Sequence, residues 1–367
     1  MTRWMLLLSC AVWLAPAAGS GDRFVYSVSS GESDRFPRLL KTEIFAVDRQ
    51  TGKPQMIYSD AGADFLLLPA YPGTGQEQVM VASGGRIFAR GIERKYYTSG
   101  WPTFPAAVYE LATDGSNAAR KLFDIEGEYG SSNFRNLFGD ASGSKVGHLN
   151  YLGGKLYMLL HDTSAGALLR KIDLSAAVLD CFVGKIGWMP DGKRIFFTLE
   201  TGDVHVTSKA SYARAGSYLM EDDGGKPVRI PSDVAFHPTR PGYRFDPESP
   251  PILLGALPDA HYLFSEFQWS QAAGRSPQTV NFLFSVDPVT KAWKDFPTTT
   301  EGSLTSFRLS HSGAVAFIEL QRQKEIETQT VWSMEQSSAK KQKVFSLSTK
   351  PMAMPWLNLI GWLRSRE

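Results

Sequence analysis

The sequence predicts an all-β chain: a single β-propeller of about six, or seven, four-stranded blades, its ring closed by the C-terminal strand joining the N-terminal blade. Three observations predict it. A complete two-strand unit fills residues 185–198 (KIGWMPDGKRIFFT), imperfect copies of it recur along the chain, and the two chain ends carry complementary halves of one unit. In the sharpest copy Ile186 and Trp188 alternate with Lys185 and Gly187, Pro190, Asp191 and Gly192 supply the turn, and Ile195, Phe196 and Phe197 start the return strand.

The chain opens with Arg3, an apolar run from Trp4 to Leu14, and then Ala15, Pro16, Ala17, Ala18, Gly19 and Ser20. This pattern predicts a secretory signal peptide over residues 1–19 and a propeller domain over residues 20–367. The run is too short to span a bilayer, and no later segment reaches the roughly 20 apolar residues of a transmembrane helix. The expected location is therefore periplasmic or extracellular. Cys10 follows Leu7, Leu8 and Ser9 as in a lipoprotein box, but the apolar segment continues past it through Leu14, which disfavours lipid anchoring there. Removing the leader leaves Cys181 as the only cysteine, so no internal disulfide is available and the fold must rest on its core. With 43% hydrophobic residues among 367, that core can be large. Lys+Arg 39 against Asp+Glu 37 gives a formal +2, which lacks the basic footprint of a nucleic-acid binder.

Beyond the leader, residues 24–28, 43–47 and 55–58 read as three strands, with a turn at residues 48–53 (DRQTGK). The sequence strand, acid, turn, strand then returns at residues 108–125, 168–183, 218–230, 282–296 and 331–345. Aligning the last apolar residue before each turn gives Val47, Leu111, Ile172, Met220, Val286 and Met334, followed by Asp48, Ala112, Asp173, Glu221, Asp287 and Glu335. An acid at this point suits a residue that opens a turn by accepting bonds from the following amides. A second series of hairpins precedes these pairs, beginning at Met80, Leu149, Gly187, Leu254 and Phe307. Together the series make units of four strands, a to d, in which a PDG-like turn joins a to b and the acid-containing turn joins c to d. The first unit has no good strand a, whereas Trp356–Leu363 (WLNLIGWL) resembles strand a with nothing after it, and its LIGW echoes the KIGW at Lys185. Pairing these ends removes the exposed sheet edges.

The W-x-PDG-x-x-I-x-F hairpin from Trp188 to Phe197 and the acid-containing turns resemble the repeats of the TolB-like propeller family. The same repeat style occurs in the propeller that caps prolyl-oligopeptidase-type peptidases. The resemblance covers the mature chain and implies a propeller; SHSG at Ser310 and PDA at Pro258 replace PDG in other copies. No α/β segment follows the repeats to hold a peptidase triad, so none of that family's catalytic residues carries over.

Successive turns of an antiparallel sheet fall at opposite ends, so the a–b and c–d turns share one side of the disc and the b–c and d–a connections the other. The long insertions, residues 30–42, 90–105, 126–144, 200–216, 231–250, 266–279 and 321–329, are all expected on that second side, where a rigid scaffold presents binding groups. Two of them concentrate Tyr, Trp, His and Arg, and the expected binding residues are Arg94, Tyr97 and Trp101 in one and His237, Arg240, Tyr243 and Arg244 in the other. The competing reading is that these aromatics only pin long loops to the disc. His148, His161, His205, His237, His261 and His311 show no ligand-pair spacing, so no metal is expected. The chain also lacks a G-x-S-x-G elbow, a P-loop, a G-x-G-x-x-G after a strand and a C-x-x-C-H, so no catalytic residue and no cofactor is assigned. The leading functional expectation is an exported, non-enzymatic propeller that binds a protein or a glycan through its long-loop face. The alternative is a propeller-type enzyme, a lyase, lactonase or glycoside-acting protein, with its site at the mouth of the central channel.

Overall fold

The computed structural model describes residues 23–30, 41–47, 53–67, 78–96, 105–126, 134–178, 181–201, 214–235, 243–245, 251–270, 279–296, 303–310, 312–323, 326–334, 341–349 and 356–364. They form six antiparallel sheets. Blade 1 contains β1 (Arg23–Ser30), β2 (Lys41–Val47), β3 (Pro54–Ser59) and, beside β1, β26 (Trp356–Leu363). Blade 2 has a divided inner strand, β4 (Phe65–Leu67) and β5 (Met80–Ser83), then β6 (Arg86–Glu93), β7 (Ala106–Leu111) and β8 (Ala119–Asp124). In blade 3 the strands are β9 (Phe134–Gly139), β10 (Lys145–Leu152), β11 (Lys155–Asp162) and β12 (Leu168–Asp173). Blade 4 has β13 (Cys181–Trp188), β14 (Arg194–Thr201), β15 (Gly216–Glu221) and β16 (Val228–Arg229). Blade 5 again divides its inner strand, into β17 (Tyr243–Phe245) and β18 (Ile252–Ala256), followed by β19 (Tyr262–Ser270), β20 (Thr279–Val286) and β21 (Trp293–Phe296). Blade 6 comprises β22 (Ser303–Leu309), β23 (Val315–Gln323), β24 (Ile326–Met334) and β25 (Lys341–Thr349).

The chain is a six-bladed β-propeller, and the expected closure is present: β26 supplies the missing inner strand of blade 1, with Phe24 opposite Trp362 and Val28 opposite Leu357. The strands β26, β5, β9, β13, β18 and β22 each touch the next in that cyclic order and so line the centre of the ring.

The core is divided among the six junctions between blades, and strand alternation explains why. Along β1, Val25 packs toward blade 2 with Leu67, Met80 and Ile87, while Phe24 and Tyr26 pack toward blade 6 with Ala316, Ile318 and Val331. Each blade is therefore apolar on both faces, which is why inner strands read as near-continuous apolar runs instead of half-polar ones. Trp188, expected from its alternation with Ile186 to anchor the core, is buried at the junction of blades 3 and 4, its ring centroid 4.9 Å from that of Phe138. The PDG turn closes as the motif predicts: Asp191 Oδ1 accepts from the amides of Lys193 (2.9 Å) and Arg194 (3.0 Å), and Gly192 has φ +67°.

In blade 3 the sequence reading is one strand out of step. The hairpin beginning at Leu149 joins β10 to β11 and is a b–c hairpin with a tight Gly153–Gly154 turn, not an a–b one. The true strand a is β9, which lies inside the stretch expected to be a long loop over residues 126–144. Its a–b turn is opened by Asp140, which accepts from the amide of Lys145 (2.9 Å) and the hydroxyl of Ser144 (3.0 Å). The c–d acid is consequently Asp162, bonded to the amides of Ser164 and Ala165 (both 2.9 Å), while Asp173 ends β12 and caps the one-turn helix Ser175–Val178 through the amide of Ser175 (2.9 Å). An acid still occupies five of the six turn positions. The expected insertion at residues 321–329 is also absent, because β23 runs to Gln323 and β24 starts at Ile326.

Candidate functional site

The inner strands have a shared irregularity that shapes the channel. Residues Asn136, Leu254, Ser306 and Ile360 are each skipped in the pairing of strand a with strand b, and in blade 4 Gly184 and Lys185 together face one partner residue. These are β-bulges at one height in five of six blades, and a bulge re-aims the side chains next to it. Asn136 and Ser306 take left-handed backbone, φ +35° and +58°. At Gly184 the absence of a side chain leaves room for the Glu200 carboxylate, which a Cβ would displace.

The bulges deliver polar groups to the centre. Asn136 Nδ2 donates to Gly184 O at 2.7 Å, and its Oδ1 accepts from the amide of Gln78 at 3.0 Å, tying blades 2, 3 and 4. Lys185 Nζ donates to Phe307 O at 2.9 Å, and Arg308 Nη1 donates to that same oxygen at 2.7 Å. Because β18 stands between β13 and β22 in the ring, the Lys185 bond crosses the channel. Burial, then the nearby Arg308, hold the Lys185 ammonium well below its usual range, and burial pulls Arg308 down to about 10. The Glu200 carboxyl, packed against Gly184, is pushed up by desolvation, against a hydrogen bond with Thr198.

The expected binding residues divide by what the structure describes. Arg94 lies in the 3-10 turn Arg94–Tyr96 at the b–c end of blade 2. Its guanidinium is committed to the chain's own backbone: Nε donates to Ala63 O (2.7 Å) and Nη2 to Asp60 O (2.5 Å). Asp60 in turn is fully buried and accepts from the amides of Thr42 (2.8 Å) and Leu67 (3.0 Å), so Arg94 completes a latch where blade 1 passes into blade 2. Tyr243 and Arg244 lie on β17, paired with Ser270 and Trp269 at the b–c end of blade 5. Tyr97, Trp101, His237 and Arg240 lie outside the described residues, as does the whole of the expected leader.

A cavity of about 430 Å³ opens at the other end of the disc, lined by Arg194, Leu219, Lys226, Val228, Val234 and Tyr262 among others. It sits between blades 4 and 5, and Pro231 and Val234 at the start of the 231–250 stretch also line it. Among the described residues no group of three or more His, Cys, Asp or Glu side chains gathers to hold a metal ion, and no helix is long and apolar enough to cross a membrane.

No protein-family model matches the chain, and no curated protein does. Solved structures do resemble it. TolB from Acinetobacter baumannii matches with a TM-score of 0.52 at 12% identity over 93% of this chain, which spans 66% of that protein's length. The fold is that of a TolB-like propeller. A putative TolB from Agrobacterium tumefaciens follows with a TM-score of 0.48 at 13% identity, over 92% of this chain and 98% of that one. A chain of a nidogen/laminin complex scores 0.46 at 9% identity, over 94% and 100%.

Lys185 and Arg308 are the residues of this propeller that the sequence reading missed as site candidates. The available signal was a long cation inside a strand whose neighbours are apolar: Lys185 between Val183 and Ile186, Arg308 between Phe307 and Leu309. His148 and His161 are buried between blades 2 and 3, with Phe123 stacked 3.7 Å from His161, and are packing groups of the propeller.

Proposed function

We propose that this protein is an exported, non-enzymatic β-propeller that captures a protein or a glycan on the face where its b–c and d–a connections gather. The observation that carries the reading is the division of the connections between the two ends of the disc. Several a–b and c–d turns are short and closed by their own acids, as at Asp191, Asp162 and Asp287. The aromatic- and arginine-rich stretches of the sequence follow β6 and precede β17, both of which end on the b–c side, and this supports the opposite end as the capture face. Trp101, Tyr243, Arg240 and Arg244 are the proposed contacts, with Tyr97 and His237 beside them; Arg94 serves the same surface by holding the start of its loop. The leader-like residues 1–19 support export. Capture assays on a Trp101→Ala, Tyr243→Ala double variant test the reading: binding should fall by about 2 kcal/mol or more while the melting temperature holds.

One observation favours a second reading, an enzyme of propeller type such as a lyase, lactonase or glycoside-acting protein. Ionisable groups from two blades, Lys185 and Arg308, meet in the channel with pKa values displaced by burial. Turnover lost in Lys185→Met and retained in the loop double variant would decide for the enzyme.

A further inference from the structure

We propose that the central channel holds one oxyanion, a carboxylate or a phosphate group, between Lys185 of β13 and Arg308 of β22. The site does not depend on the loop-face reading, since it lies at the level of the bulges inside the ring. Two basic side chains converge there on a single neutral acceptor. Both Nζ of Lys185 and Nη1 of Arg308 donate to Phe307 O, so the two nitrogens cannot lie further apart than those two bonds laid end to end. Among the described residues neither is paired with a carboxylate, and Arg308 Nε is buried without a hydrogen-bond partner. Like charges this close in a medium less polar than water repel strongly, and each adds the cost of its own desolvation. Protein interiors bear such a pair where an anion offsets it.

The donors left over say what kind of anion fits. Lys185 has used one of three N–H groups, and Arg308 has its Nε and further Nη donors to offer in a planar fork. A fork of parallel N–H groups matches two oxygens of one carboxylate or phosphate better than it matches a spherical halide. Space is also present: both side chains retain part of their accessible surface although protein surrounds them, as expected of groups lining a narrow solvent-filled channel. Lys185 enters from one blade and Arg308 from the blade next but one, so an oxyanion there would link two blades that are not neighbours in the ring.

The test uses the full mature chain in Tris chloride at fixed ionic strength, titrated separately with sodium phosphate and sodium acetate while the melting temperature is followed. At least one of the two should raise it saturably beyond chloride, and the tighter arm identifies the head group. Lys185→Met and Arg308→Met should weaken that response about tenfold or more. In Tris chloride with neither oxyanion added, each should melt no lower than the parent, because a repulsive charge has gone. Arg308→Lys keeps the charge but loses the fork; it should respond more weakly than the parent, and it keeps the test decisive should the neutral variants not fold. A parent that shows no saturable response to either anion, or variants that respond as the parent does, would overturn the proposal.

Discussion

Replacing His148 by Leu should flatten the acid side of the stability profile by an amount that the structure sets. His148 is 1% exposed on β10, with ring centroids of Phe123 and His161 at 5.7 and 5.4 Å. Burial, with a smaller contribution from the neighbouring His161, lowers its pKa from 6.5 to about 3. The sign follows from linkage. Between these values the unfolded chain binds a proton that the native protein does not, so the stabilisation is complete above pH 6.5 and is lost progressively as pH falls toward 3. Each pH unit in that window is worth about 1.4 kcal/mol, so from pH 7 to pH 5 His148 withdraws about 2 kcal/mol from the parent and nothing from His148→Leu. Urea denaturation of both proteins at pH 7 and pH 5 measures this difference of differences, in which repacking costs and the titration of His161 largely cancel. A stability gap between parent and variant that stays constant within about 0.5 kcal/mol across the two pH values would refute the assignment of His148 as a buried neutral ring.

Three further outcomes follow from the packing. Trp188→Ala should cost about 3–5 kcal/mol in denaturant unfolding, because a large side chain in the junction of blades 3 and 4 leaves a cavity against Phe138; a cost under about 1 kcal/mol would contradict its anchoring role. Deleting residues 355–367 strips blade 1 of its inner strand and leaves the β1 edge open, so soluble expression should be lost; a truncated protein with an unchanged melting transition would contradict ring closure. Glu319→Gln should cost about 3 kcal/mol by thermal or urea unfolding. The buried Glu319 carboxylate accepts from Trp332 Nε1 at 2.6 Å and pairs with Lys341 at 3.1 Å, and its loss strands the lysine against the Trp332 ring.

The architecture was legible because a propeller repeats its punctuation. An acid where a c–d turn opens can bond the next amides, as Asp287 does, so Asp48, Glu221, Asp287 and Glu335 mark their blades in the sequence despite low similarity elsewhere. Blade 3 misled for the same reason. Its Gly153–Gly154 turn is as compact as a PDG turn but lies at the other end of the disc, and Asp173, which caps a helix turn, imitates a c–d acid. Strand β9 was hidden because its turn is built by Asp140 with Ser142 and Ser144, without the proline of the sharp repeat. The site was less legible still. A lysine alternating with Ile186 and Trp188 reads as a solvated face until the bulge at Gly184 turns it into the channel. The crossing to Phe307 joins residues more than a hundred positions apart, which no local pattern encodes.

The claim that capture belongs to the b–c end of the disc is tested most directly by comparing two variants with the parent in one assay. The first is Trp101→Ala with Tyr243→Ala at the b–c end. The second is Lys226→Ala with Val228→Ala in the cavity at the turn end. Each protein is immobilised and challenged with a glycan array and an extracytoplasmic protein extract, and melting temperatures are recorded alongside. The account predicts that the first variant loses the parent's binding partners with its melting temperature unchanged, while the second keeps them. Capture that survives in the first variant and disappears in the second would contradict it.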